Sequence, residues 1–218
     1  MMEKSRLTDE LVPMFIVPII RTSIEEDTNE LKNYPGKMRT SYGSSKVSAD
    51  MRVLEKYPRI RNIILSKFHQ VAENHIECIK RDYIITTSWI TLSPEGDYGR
   101  SHRHKNCYWS GVYYFQDEYP EGTGGISFIN PLEEMSDYYM GNDEYKNYNS
   151  INSPCKAFIP TPKQLIFFPS YLKHQILKHN LDKPRFSLAF IIIPLGKYGE
   201  GDSSFDPQWV RSFNSVYS

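Results

Sequence analysis

Cysteine is scarce in this chain. Three residues in 218 (Cys78, Cys107 and Cys155) are scattered along it, which excludes a disulfide framework and a Cys-x-x-Cys zinc site. Long apolar runs are also missing. The stretch Met14–Ile20 is too short to span a bilayer, and Asp9 and Glu10 just before it make a poor signal peptide. It reads as a first strand. No later segment suits a membrane span, so the chain is expected to be a soluble protein of the cytoplasm. Charge of one sign is not in excess: 26 Lys and Arg face 26 Asp and Glu. A neutral chain does not suit a general nucleic-acid coat or a binder of anionic membranes, and neither partner is expected. Glycine (12) and proline (14) are at ordinary levels, which excludes collagen-like and low-complexity chains. No internal repeat is present.

What is abundant is tyrosine, at 16 residues, within an aromatic share of 14%. That composition suits strands. The length suits one domain over 1–218, organised as an N-terminal strand and helical support (1–82), a core (83–194) and a tail (195–218). In residues 59–80, Ile60, Ile63, Ile64, Phe68, Val71, Ala72, His75, Ile76 and Ile79 recur at spacings of three and four, which predicts an amphipathic helix opening after Pro58. From residue 83 the pattern changes to short strands and turns. Strands are predicted at Tyr83–Leu92, Cys107–Gln116, Ile126–Ile129, Gln164–Phe168, His174–Leu177 and Phe186–Pro194. A helix followed by a run of short strands reads as an all-β barrel or sandwich with the helix packed outside. Residues 130–155 are polar, acidic and Tyr-rich, and a loop of that length is either a substrate lid or a passive insertion.

The chemistry concentrates in the histidines. Of six, His69 and His75 belong to the helix region and read as core or surface residues. The pair His75-x-x-Cys78 has no counterpart that would complete a metal site. His179, in a turn rich in Lys, Asn and Asp, reads as solvated. His102 and His104 differ. At positions i and i+2 of an extended segment, both side chains leave one face of a strand, which lets two imidazoles reach one metal. The alternative is an exposed basic turn with Arg100, Arg103 and Lys105. His174 opens a strand after the apolar run Leu165–Pro169, where it can point into a barrel mouth. Arg185 and Ser187 share a face of the next strand. A guanidinium at a barrel mouth needs an anionic partner, and a substrate carboxylate supplies one; a surface ion pair is the alternative.

The order of these motifs resembles the iron(II)- and 2-oxoglutarate-dependent oxygenases, in particular a small branch found in marine bacteria and their phages. The matching residues are Trp89, Gly96-Asp97, His102-Arg-His104, Ser110-Gly-Val-Tyr-Tyr114, Gly124-Gly-Ile-Ser-Phe-Ile-Asn-Pro131, Phe168-Pro-Ser-Tyr-Leu-Lys-His174 and Arg185-Phe-Ser187, spread over roughly 83–194. The resemblance implies a mainly β fold, the double-stranded β-helix (a jelly-roll or cupin-like barrel), with Fe(II) as cofactor and 2-oxoglutarate as co-substrate. It implies a cytoplasmic enzyme, in the host's cytoplasm if a phage encodes it. It implies His102 and His174 as iron ligands and Arg185 as partner of the distal carboxylate of 2-oxoglutarate. Ser187 would add a hydrogen bond, and Tyr114 would set its hydroxyl against the same carboxylate, with Tyr113, of opposite facing, as the fallback. The superfamily's third ligand is a carboxylate. Here that position is His104, and three arrangements stay open: His104 as ligand, which is preferred; a carboxylate from elsewhere, such as Asp97; or an open position. The implied reaction is hydroxylation of a substrate with decarboxylation of 2-oxoglutarate to succinate.

The substrate is expected to be a small molecule or a peptide, with peptidyl or free proline suggested by analogy to prolyl hydroxylases. Glu133, Glu134, Asp137, Asp143 and Glu144, against Lys146 alone, favour a neutral or basic one. Two rivals remain. A cupin-like three-histidine iron oxygenase would not use 2-oxoglutarate and would have no need of Arg185. A metal-free jelly-roll binding module would need neither. In the tail, Phe205, Trp209 and Phe213 pack back on the monomer or on a second subunit, so a homodimer is open.

Overall fold

The computed structural model describes residues 16–41, 44–78, 81–132 and 146–206. Among these, two antiparallel sheets carry the architecture. Strands β1 (Ile20–Ser23), β2 (Met38–Thr40), β3 (Lys46–Ser48), β4 (Tyr83–Ser93), β6 (Trp109–Tyr113), β9 (Gln164–Pro169) and β11 (Arg185–Pro194) form a seven-stranded sheet in the order β1-β9-β6-β11-β4-β3-β2. Strands β5 (Gly99–His102), β7 (Ile126–Ile129), β8 (Cys155–Phe158) and β10 (His174–Ile176) form a four-stranded sheet in the order β5-β10-β7-β8. The fold is the double-stranded β-helix, with one helix, α1 (Pro58–Asn74), lying outside the larger sheet.

Strand alternation divides the apolar residues between two cores. On one face of the larger sheet, Trp109, Tyr113, Leu165, Phe167, Leu188, Phe190 and Ile192 pack with Ile60, Ile64, Phe68, Val71 and Ala72 of α1. Phe68 sits at the centre, with its ring centroid 4.9 Å from Tyr83, 5.3 Å from Phe167 and 5.6 Å from Trp109. On the opposite face, Val112, Tyr114, Ile166 and Phe168 meet Ile126, Phe128 and Leu172 between the sheets. Each fully buried side chain of this kind contributes about 1.5–3 kcal/mol. Gly111 is obligatory where it stands, because a Cβ there would lie 2.2 Å from the ring of its cross-strand partner Phe190.

Several elements depart from expectation. The helix predicted over 59–80 ends at Asn74. His75 leaves helical geometry, Glu77 takes a positive φ, and the amides of Ile76 and Cys78 return to the carbonyls of Val71 and Ala72. Ile76 fits the apolar stripe because it packs on the same core from outside the helix; Ile79 lies outside the described residues. His75 is exposed. Among the described residues the first strand runs Ile20–Ser23, so Ile16–Ile19 of the expected strand stand outside it; residues 14–15 lie outside the described residues. Between β1 and α1, Ile24 and Leu31 are buried and the β2–β3 hairpin forms, elements that no apolar pattern in the sequence predicts. Trp209 and Phe213 of the tail lie outside the described residues. No helix among those described is long and apolar enough to cross a membrane.

Candidate metal and co-substrate site

The register of the smaller sheet places His102, the last residue of β5, opposite His174, the first of β10. His104 lies beyond the end of β5, not on the strand with His102. Its amide donates to the carbonyl of Ser170 at 3.1 Å, so the Pro169-Ser170 turn holds it beside the other two. Ring centroids stand 4.4 Å apart for His102 and His174, and 5.2 Å for His104 with each of them. One nitrogen from each ring lies within 4.8 Å of the others. Bonds of about 2 Å to a shared ion bring such atoms to roughly 3 Å, so a modest rotation closes the set.

Two further features suit a metal. Nδ1 of His102 lies 2.8 Å from the carbonyl of Arg100, and Nδ1 of His174 lies 2.9 Å from that of Leu172. An Nδ1–H donated there leaves Nε2 as the free lone pair, the arrangement typical of metal-bound histidine. Burial, followed by the charge of His102, pushes His104 down to about 4. Burial pushes His174 down to about 3, against the bond to Leu172. Both rings are neutral at pH 7 and able to ligate. Asp97 does not join them. Its carboxylate accepts from the hydroxyls of Ser44 and Ser45, and among the described residues the only cluster fit to hold a metal is the three histidines.

The three rings line a cavity of about 480 Å³ that also contains Arg185, Ser187 and Tyr114. Register explains why. Arg185 pairs with Ser93, Ser187 with Thr91, and Ala189 with Trp89, so three rows two residues apart present one side of each pair to the cavity. Arg185 is 3% exposed. Its guanidinium donates to Ser93 Oγ at 2.8 Å and to the carbonyl of Thr123 at 3.1 Å. Among the described residues no carboxylate comes within ion-pair distance of it. A buried cation with neutral partners is costly, and burial lowers its pKa, against the pull of Tyr114, Asp97 and Tyr119. Tyr114 is buried, which raises its phenol to about 12 while Arg185 draws it down. Tyr113 faces the other way, with its hydroxyl 2.7 Å from Thr28 Oγ1 in the helix-side core. Of the two tyrosines, only Tyr114 is in the cavity.

His179 is not solvated. It is 1% exposed, with Nδ1 2.7 Å from the carbonyl of Thr123 and Nε2 2.7 Å from that of Lys183. It shares Thr123 O with Arg185 and ties the 120–124 turn to the loop from which Arg185 emerges. Gly124 allows this approach: it has φ +68, and a Cβ would stand 2.4 Å from the carbonyl of Lys178. The cavity wall contains other residues to which no role was assigned from the sequence. Trp89 sets its ring 5.8 Å from His104, and Arg39, Ser41, Val47 and Met51 come from the N-terminal hairpin region. The alternation Trp89, Thr91, Ser93 could have marked the β4 face; the hairpin carries no comparable pattern. The acids expected to form a lid, Glu133, Glu134, Asp137, Asp143 and Glu144, lie outside the described residues.

Comparison with known proteins bears on the family and the fold. Residues 87–190 match the family model described as "Putative 2OG-Fe(II) oxygenase". No curated protein matches the chain. Among solved structures, the fold is similar to the non-heme alpha ketoglutarate dependent epimerase SnoN from nogalamycin biosynthesis, at 12% identity over 84% of this chain and 79% of that one, TM-score 0.56. It is similar to a Pseudomonas putida prolyl-4-hydroxylase at 11% identity over 80% and 92%, TM-score 0.51. It is also similar to HygX from Streptomyces hygroscopicus with iron bound, at 9% identity over 81% and 82%, TM-score 0.51.

Proposed function

We propose, from the match of residues 87–190 to the family model described as "Putative 2OG-Fe(II) oxygenase" and from the site, that the chain is an iron(II)- and 2-oxoglutarate-dependent dioxygenase that hydroxylates a small molecule or a peptide. The observation that carries this reading is Arg185, a buried guanidinium without a described carboxylate partner, in the same cavity as three clustered histidines. His102, His104 and His174 would hold the iron. Arg185, with Ser187 and Tyr114, would hold the distal carboxylate of 2-oxoglutarate. Ser187 lies two residues along the same face of β11, and Tyr114 brings a neutral hydroxyl to the guanidinium.

Bound there, iron and 2-oxoglutarate supply dioxygen activation, with the balance substrate C–H plus O₂ plus 2-oxoglutarate giving C–OH plus succinate plus CO₂. The chain's residues do the rest. The carbonyls of Arg100 and Leu172 orient two ligand rings, and Ser170 places the third. Val112, Ile126 and Phe168 wall the cavity and exclude water, while Trp89 borders the space beside His104. SnoN is an epimerase and the Pseudomonas putida protein a prolyl-4-hydroxylase. Hydroxylation is preferred here as the outcome that asks nothing further of the residues.

The test is oxygen-dependent conversion of 2-oxoglutarate to succinate by the iron-loaded protein. Arg185→Leu is expected to keep the metal and to weaken 2-oxoglutarate roughly a hundred-fold, as loss of one partner of a buried charge pair does. The cupin-like rival predicts that Arg185→Leu changes nothing. The metal-free rival predicts no iron bound by the wild type.

A further inference from the structure

The site as read leaves positive charge unmatched. Histidines ligate as neutral imidazoles, so a three-histidine face cancels none of the iron charge, where a two-histidine, one-carboxylate face cancels one unit. Arg185 adds another positive charge. The two carboxylates of 2-oxoglutarate and the buried Asp97, which attracts Arg185, are taken up by these charges and leave none over for Arg39.

The described walls carry further positive charge at the exposed mouth of the cavity. Besides Arg185, the charged side chains lining the cavity are Arg39 and Arg100, and no described Asp or Glu lines it. Asp97 lies off the cavity wall, accepts from the Ser44 and Ser45 hydroxyls and attracts Arg185, so its charge is spent on that guanidinium. Arg39 stands on a single cross-strand row: Arg39 pairs with Val47, Val47 with Thr91, and Thr91 with Ser187. Two strand spacings, about 10 Å, separate Arg39 from Thr91, and an arginine side chain extends well into that span. Its guanidinium makes a weak bond to Met51 Sδ at 3.8 Å, so it can turn to a stronger acceptor. Arg100 already has a partner of its own and enters here only as part of the wall. Ser41, Thr91 and Ser101 add hydroxyl groups to the same cavity.

We propose that the primary substrate is a small anion whose carboxylate or phosphate group is held by Arg39 at the cavity mouth, with its reacting carbon facing the three histidines. This rests on the reading given under Proposed function and narrows its substrate class. It runs against the preference expected from the acids of 130–155, which lie outside the described residues.

The test uses the full chain loaded with Mn(II) in place of iron and with 2-oxoglutarate, titrated calorimetrically with matched probes. These are N-acetyl amino acids, their uncharged amides, the corresponding cationic amines, and alkyl phosphates. The expected result is that a carboxylate or phosphate probe binds at least about ten-fold tighter than its amide, with affinity falling as salt rises. The stronger of the two anions identifies the group. Arg39→Gln should then weaken that probe about three- to ten-fold, the scale of a lost charge-assisted contact at a rim. Arg39→Lys should recover part of the loss, and 2-oxoglutarate affinity should stay within about two-fold. His104→Asp, which returns a negative charge to the metal, should weaken anionic probes and spare the amide. Equal binding of acid and amide, or preference for the amine, overturns the proposal while 2-oxoglutarate binding leaves the parent reading intact. Arg39→Gln weakening 2-oxoglutarate instead of the probe also overturns it. A wild type that binds no 2-oxoglutarate overturns both.

Discussion

At the scale of single residues, environment decides which histidines can serve a metal. His69 and His75 are exposed on or beside α1, whereas His104 and His174 are pressed into the cavity and held neutral. That neutrality affects stability. The unfolded chain takes up protons on these rings as pH falls below about 6.5, while the folded chain does not until about 4 for His104 and about 3 for His174. Between those limits the unfolded state binds more protons, so stability falls with pH. The metal-free protein is expected to lose Tm between pH 7.5 and 5.5, and His104→Gln and His174→Gln are expected to flatten that fall. Equal slopes for the variants and the wild type would contradict the assignment. His179 allows a second prediction. In His179→Asn the side-chain amide occupies the place of Nδ1 and can still donate to Thr123 O, whereas Gln reaches only the place of Nε2. If His179 positions Arg185, Asn keeps 2-oxoglutarate affinity. Gln and Ala lose up to about ten-fold, the value of roughly one net hydrogen bond, with metal affinity unchanged. A larger loss in Asn than in Gln would show that filling volume is what matters.

At the scale of elements, strands were easier to recognise than hairpins or helix ends. The apolar character that marks β4, β7, β9 and β11 follows from burial on two faces, and their bounds fall within a residue or two of expectation. The β2–β3 hairpin was hidden because its residues are short, polar and half exposed; it gains its place by pairing with β4 rather than through an apolar face of its own. The sequence pattern marks the helix start at Pro58 but overshoots its end, since the apolar stripe continues through Ile76, where core packing rather than helix geometry explains it. His104 shows the same effect. Its spacing from His102 implied a shared strand, yet a hydrogen bond to Ser170, remote in sequence, brings it to the cluster. Phe68 joins α1 to the larger sheet, so Phe68→Ala is expected to cost about 3–5 kcal/mol in a denaturant titration. Metal binding should be unchanged, because the two cores lie on opposite faces of the sheet. Loss of the metal with little loss of stability would contradict that division.

At the scale of the whole molecule, two sheets enclose one cavity, and each supplies half of the chemistry. The smaller sheet and its flanking turn supply the three histidines, and the larger sheet supplies Arg185, Ser187 and Tyr114. The order of motifs along the chain made the barrel and most of this set readable before any coordinate. Facing, which separates Tyr114 from Tyr113 and buries His179, needed the register. The central claim is that the two halves act together as an iron and 2-oxoglutarate site. It is tested most directly by anaerobic reconstitution with iron(II), watching for the weak visible charge-transfer band of the iron chelate as 2-oxoglutarate is added. The account predicts a band in the wild type that disappears in Arg185→Leu at the same 2-oxoglutarate concentration and shifts or is lost in His104→Ala. Iron bound with no band at saturating 2-oxoglutarate, or a band indifferent to Arg185, would contradict it.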